Sequence, residues 1–574
     1  RFSVLKLRFY WAGVLTTFAL GQSEVMAHSG VLEEVLVVGR KAQVNSAVRG
    51  TNAGFVEREY LDRLALERTG DVLELVPGLV ATQHSGSGKA NQYFLRGFNL
   101  DHGTDFLTRV DYMPVNMVSH GHGQGYTDLN FLIPELVQTI DYRKGPFYSD
   151  LGDFSGTGEA HLRTAAFLPG HLISVEAGGF GYHRTVLAGQ KEVGPGNWLL
   201  AGEFQGYDGP WKNVDEDVRK TNIWLKYGSG GPEAGADLSL MFYDNRWNAA
   251  DQIPLRAIEN GTISPLSTID PSSGGESYRY SLALQQRGHR DNSVWFASVY
   301  AIRYGMDLWS NFSYFTDQAQ GDQIYQQDER LLVGGDAAIT VAQTYLAGLK
   351  TSHSLGWNWR YDAIDPVGLF QSEQRMTREP VRQDEINQWS NGLYWQMAVQ
   401  VLPRWTSTIN LRWNFHQFDV EPLAAAVAQT RAANAGERSA NLWTGALRNR
   451  FAVNDRSELY WNLGRSYHSN DARGVLATLD PTSGEPITAA DPLVPVDGTE
   501  VGGDWRTADQ RWQFSASLWT LQVASELLFV GDEGITEDSG AKSRRYGGEL
   551  GFAYQPAENI NLALDYSHTH SRLQ

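Results

Sequence analysis

The sequence predicts an all-β transmembrane antiparallel barrel preceded by a compact N-terminal α/β domain, and three observations predict it. The 574 residues include 18 Trp, 25 Tyr, 24 Phe and 59 Gly, beside a negative mean hydropathy. That mixture suits half-buried strands, aromatic girdles and polar loops. The start of the chain reads as an export signal, and no apolar run of helical spanning length follows it. Beyond residue 170 the chain divides into segments of about ten residues in which every second side chain is apolar.

The start is basic at Arg1, Lys6 and Arg8, apolar from Phe9 to Leu20, and closes on Val25-Met26-Ala27. Small or apolar residues at those places suit a signal peptidase. The apolar run is shorter than the roughly 20 residues of a spanning helix, so residues 1–27 are expected to be a cleaved signal peptide. If the remaining chain sits in a membrane, a barrel is the other structure that satisfies every backbone group in lipid.

Composition changes near residue 170. Before it, short apolar runs alternate with glycine-rich turns, and one helix is expected from Thr69 and Asp71 through Val72, Leu73, Leu75 and Val76 to the stop at Pro77-Gly78. After it come segments such as HLISVEAGGF, NWLLAGEFQGY, NSVWFASVYAIRY and RWQFSASLWTLQ. Tight turns such as GPGN, NDRS and PAEN join some of them, whereas polar stretches at 247–275, 360–388 and 470–500 read as long insertions. Short turns at one rim and long loops at the other are what an outer-membrane barrel has. The expected division is 28–48 an extended segment and linker, 49–168 the α/β domain and 169–574 the barrel.

Net charge is −18 and cysteine is absent. The charge excludes a nucleic-acid partner and favours cationic or metal-bearing ligands. Without thiolates, histidine and carboxylate are the metal ligands left. No G-x-S-x-G or H-E-x-x-H set appears, so no enzyme is expected.

Residues 69–165 resemble the plug of the TonB-dependent outer-membrane receptors, a family of siderophore, cobalamin and metal importers. The resemblance rests on TGDVLELVPGLVATQHSGSGKANQYFLRGFN, VDYMPVN and FLIPELVQTIDYRKGPFYSDLGDFSGTGEAHLRT. Upstream, VLEEVLVVGR at 31–40 looks like a TonB box, with Glu34, Val35, Leu36, Val37 and Val38 as the expected contact. SRRYGGELGFAYQP at 543–556 is similar to a late barrel strand. There are departures: Asp111-Tyr112 stands where the family has Asp-Gly, and Lys144 where it tends to have Arg. The family barrel has 22 strands, whereas about sixteen to eighteen are legible here, so the chain is expected to stop short of the last few.

The resemblance implies a plug inside the lumen and a monomer in outer-membrane lipid. It also implies uptake driven through TonB, with ExbB and ExbD supplying the energy. The box lies close behind the signal, which implies transport without transcriptional signalling. Arg96 and Lys144 are the expected plug-to-wall contacts, with Glu135 as a brace. Arginine's fork of donors must find acceptors inside a lumen.

By the same resemblance, loops 84–91, 99–104 and 116–125 face the medium. They hold His84, His102, His120 and His122, four of the chain's 14 histidines, and these with Asp101 and Gln124 are the expected substrate-binding residues. His120 and His122, two apart in extended backbone, would point the same way and ligate a metal. Met117 and Asp105 are further candidate ligands. No permanent cofactor is expected; Fe, Zn or Cu would pass as substrate, free or chelated. A carbohydrate or other non-metal nutrient is the alternative cargo, with aromatics stacking on sugar faces.

Overall fold

The computed structural model describes residues 5–11, 47–83, 86–231, 233–311, 314, 317, 319, 321–530, 535–538, 541–557 and 560–573. The expected TonB contact Glu34–Val38, most of the expected signal peptide, and His84 lie outside the described residues.

Among the described residues one sheet has 18 strands. Leu5–Trp11 pairs antiparallel with His171–Ala177. From there the sheet is a meander to Ile560–Leu573, each strand antiparallel to its neighbour. The alternation in the sequence produces an inverted surface. Leu200, Phe204, Leu282, Leu411, Leu463 and Leu518 are exposed, while Glu203, Asn222, Ser281, Asn410 and Asn462 are buried. A strand with a period of two can place apolar residues outward and polar ones inward only if lipid lies outside and a polar filling inside.

The two rims differ. Two-residue turns join Val193 to Gly196, Arg290 to Ser293, Leu402 to Trp405 and Asn454 to Ser457. At the opposite rim, residues 249–273 and 470–492 form long connections that carry the short helices Leu255–Glu259 and Ala472–Leu476. The expected insertion at 360–388 is instead strand: Leu349–Glu373 and Met376–Leu402 form one tall hairpin turning at Gln374-Arg375. Its polar residues misread as a loop because they line the polar side of a strand that continues to the long-loop rim.

Within the sheet's concave side lies a six-stranded mixed sheet: Ala47–Arg49, Ala53–Glu57, Val137–Lys144, Gly158–Thr164, Phe106–Val110 and Met113–Pro114, in that order. Gly158–Thr164 is parallel to Phe106–Val110. The helix expected at Thr69 is a 3-10 helix, Thr69–Leu75, whose Asp71 carboxylate accepts from the Arg68 N–H. A short 3-10 turn, Pro134–Leu136, leads into the strand Val137–Lys144. Leu73, Val76, Leu132, Ile133, Ile140 and Leu162 share one buried cluster with wall residues such as Val186, Trp224 and Val496. The inner domain and the wall therefore share a core.

A small sheet, Val80–Thr82, Gln92–Leu95 and Phe98–Asn99, ends in a two-residue turn at Arg96-Gly97 with φ of 50° and 74°. Both residues are left-handed, the type I′ hairpin for which glycine is suited at the second position. Asp111-Tyr112 makes the same kind of turn, φ 48° and 66°, without glycine. Tyr112 compensates through its ring, 4.2 Å from Phe296 and 4.4 Å from His161.

A Cβ on Gly97 would stand 2.6 Å from Thr569 Cγ2, whereas Gly194, also left-handed at 60°, has nothing within 4 Å. Gly194→Ala is expected to cost only its backbone strain, about 1 kcal/mol. Gly97→Ala should cost more, with the excess removed by Thr569→Ser, as read from denaturant midpoints.

Candidate functional site

Two sets of contacts define the interior: a seam of ion pairs around the inner domain, and an imidazole cluster at its apex beneath the long loops. The seam begins at Arg96, which is fully buried. Its Nη1 donates to Glu500 at 2.9 Å, and its Nε and Nη2 donate to the two oxygens of Glu549 at 3.2 and 2.9 Å. Lys144 Nζ donates to the same Glu549 at 2.9 Å and to the Pro77 carbonyl at 2.9 Å. Two cations from the inner domain thus face two carboxylates from the wall, and Trp519 lies 4.9 Å from the Arg96 guanidinium. Glu500 also accepts from Asn52 at 3.1 Å.

The same pattern continues around the wall. Glu135 is held bidentate by Arg184, at 2.8 and 2.7 Å, and Arg184 also reaches Glu176 and Glu203. Lys226 Nζ donates to Asp111 at 2.9 Å and to the Thr164 carbonyl at 2.7 Å. Arg330 is fixed by Asp328 and donates to the Ser119 carbonyl; Arg360 is fixed by Asp362 and donates to the Asn116 carbonyl at 2.8 Å. Asp471 fixes Arg473, which donates to the His120 carbonyl at 2.8 Å. These wall pairs were missed in the sequence, although a signal existed: Asp328/Arg330, Arg360/Asp362 and Arg382/Asp384 each place opposite charges two apart on one face of successive strands.

At the apex, His102, His120 and His122 surround the Tyr126 ring, at centroid distances of 5.5, 4.1 and 5.8 Å. His120 and His122 do not converge. The His120 ring is fully buried, its Nδ1 accepting from the His122 backbone N–H at 3.1 Å, so its Nε2–H donates to Tyr304 at 3.1 Å. His122 is part-buried and turns the other way, its Nε2 3.0 Å from His102 Nε2 and its Nδ1 2.8 Å from Gln326 Oε1. The glycine-rich loop is too sharply turned for the extended-strand rule that placed the two rings together. The pair the fold assembles is His102 and His122.

The other candidate residues separate. Asp101 lies beside the pair, its Oδ1 3.6 Å from His102 Nε2, and its side chain is 36% exposed. Gln124 reaches the long loop instead, accepting from the Asp471 N–H at 3.1 Å. Asp105 accepts from His468 at 2.9 Å. Met117 is buried in a cluster with Tyr126, Trp247 and Met306. Among the described residues, no three or more His, Cys, Asp or Glu form a ready metal cage.

Burial is the largest cause lowering the pKa of all three imidazoles. Asp101 opposes it at His102, the Lys89 ammonium adds to it at His122, and His120 falls to about 3 despite Asp328. Two residues from Tyr126, burial pushes the Asp128 carboxyl up to about 6, against the Asn130 N–H and Arg279.

A model of the TonB-dependent receptor plug domain matches residues 46–158, and a model of the TonB-dependent receptor-like β-barrel matches residues 206–574. Solved structures share the fold at low identity. The copper transporter OprC superposes with a TM-score of 0.71 at 15% identity, over 93% of this chain and 81% of that one. The ferric yersiniabactin uptake receptor FyuA from Yersinia pestis gives 0.70 at 12%, over 92% and 79%. The siderophore receptor PiuA from Acinetobacter baumannii gives 0.68 at 14%, over 93% and 82%.

Removing Arg96 leaves two buried carboxylates sharing Lys144. Arg96→Ala is expected to destabilise the inner domain by about 3–5 kcal/mol, with partial recovery in Arg96→Lys, measured by denaturant unfolding. Asp128 carries the opposite sign. Its raised pKa favours the folded state below about pH 4, and that contribution is lost as pH rises through 6. Asp128→Asn should therefore stabilise the protein by about 3 kcal/mol at pH 7, and the gain should vanish near pH 4 in the same assay.

Proposed function

The chain belongs to the TonB-dependent receptors of the bacterial outer membrane, and from that premise we propose that it imports a metal ion or metal chelate through its plugged barrel. A receptor of this family transports its ligand and performs no catalysis. The observation that carries the cargo reading is the gathering of His102, His120 and His122 around Tyr126 at the apex, beneath the long loops. Imidazole suits Zn, Cu, Ni and Fe. The named structural relatives support the same class, being a copper transporter, a ferric yersiniabactin uptake receptor and a siderophore receptor. A 22-stranded cylinder, as the sequence resemblance implies, is part of this reading.

The plug blocks diffusion, and the outer membrane holds no gradient of its own, so work must arrive from the inner membrane. In this reading residues 34–38, Glu-Val-Leu-Val-Val, pair as an added strand with TonB, which ExbB and ExbD drive from the proton gradient. Tension on that segment pulls on the plug. The ion pairs of the seam are suited to yielding because water that follows the moving plug can replace each lost partner.

Uptake of radioactive zinc, copper and a ferric chelate by cells expressing the receptor tests this. At least one should accumulate, and accumulation should fall to the level of receptor-free cells with a protonophore or with Leu36→Pro, which removes a strand donor. Undiminished uptake under both conditions contradicts the energised mechanism. Absence of uptake for every metal form contradicts the cargo.

A further inference from the structure

His102 and His122 come from two separate plug loops, yet their rings are oriented as a pair, with centroids 4.7 Å apart and planes inclined at 52°. Each ring is anchored at its Nδ1. His102 Nδ1–H donates to the Asn91 carbonyl at 3.1 Å, and His122 Nδ1–H donates to Gln326 Oε1 at 2.8 Å. A neutral imidazole that donates from Nδ1 carries its acceptor lone pair on Nε2. Both Nε2 atoms therefore turn electron pairs toward one point, 3.0 Å apart, an arrangement that calls for a positive centre between them. This is the arrangement of metal-ligating histidines, whose second nitrogen donates to a carbonyl or other oxygen that fixes the tautomer. Two nitrogens at that separation fit around one ion at roughly 2.0–2.1 Å.

We propose that His102 and His122 are a capture pair for an imidazole-preferring divalent metal, taken as the bare ion or as a complex with two exchangeable coordination positions. The inference rests on the metal-import reading and narrows it. A pair is not a closed cage, so water or the chelator fills the remaining positions, and release toward the periplasm needs only two protein bonds to break. Asp101 Oδ1, 3.6 Å from His102 Nε2, supplies negative charge beside the ion. A chelator that saturates its metal offers this pair nothing to bind. The anchors belong to different bodies: Asn91 is in the plug, and Gln326 is on the wall strand Ile324–Leu346. Displacing the plug from the wall removes the Gln326 anchor from His122, which couples the geometry of the pair to plug movement.

The test uses the full receptor in detergent with Cu(II) as probe, read by electron paramagnetic resonance. The wild type should bind one ion with coupling to two nitrogens. His102→Gln and His122→Gln should each lose one of those couplings, while His183→Gln, on the outer strand His183–Val193, should leave both. Gln326→Leu keeps both ligands and should weaken binding about tenfold, which covers the case where a histidine variant does not fold. A signal unchanged in both histidine variants, or no specific copper signal, overturns the proposal: the Gln326 amide then turns its N–H to His122 Nδ1, and His122 Nε2–H donates to His102 Nε2. That result together with energised uptake of a ferric chelate would sink the capture pair and spare metal import. Two-nitrogen binding without uptake of any metal form would do the reverse.

Discussion

Charge pairing in a space without bulk water governs this structure. Arg96 and Lys144 enter a buried gap where an isolated ion would be costly, and they are tolerated because Glu500 and Glu549 meet them there. The same requirement recurs at Glu135 with Arg184 and at Asp111 with Lys226. Each pair takes one member from the plug and one from the wall, so the polar lumen specifies where the plug sits. An apolar seam could be stronger, but it would fix position less sharply and would resist the entry of water when the plug moves.

The outward face obeys the complementary rule. Leu200, Leu411 and Leu518 are exposed because lipid is their solvent, and the antiparallel meander satisfies their backbone through ladders to both neighbours. The consequence for function is a division of labour. The wall holds charged partners in register, and the plug presents its loops beneath the long connections, where residues 116–125 meet the helix Ala472–Leu476 through Ser119 and Ala472 at 2.8 Å.

Much of this was legible in the sequence because it depends on local periodicity. Alternation gave the strands, and Pro77-Gly78 marked the end of the helix that begins at Thr69. The partners of Arg96 were not legible: they lie 404 and 453 residues away, and nothing local distinguishes Glu500 from any other lumen carboxylate. The imidazole cluster shows the same limit. Composition revealed that histidines gather in plug loops, but pairing His120 with His122 assumed extended backbone. The loop instead folds so that the His122 N–H bonds the His120 ring, and His102 arrives from another loop. Residues 360–388 misled for a different reason, since a polar lumen face and a polar loop have similar composition.

The account depends on a plug that is seated in the lumen and must shift for cargo to pass. Because the chain has no cysteine, a single engineered disulfide can test this directly. Ser155 in the plug and Ser466 in the wall have their Oγ atoms 2.6 Å apart. With Ser155→Cys and Ser466→Cys together, oxidation should cross-link the two domains and abolish energised metal uptake, and a reductant should restore it. A cross-link that forms fully while uptake continues at the wild-type rate would contradict the account, as would a pair of thiols that never meet.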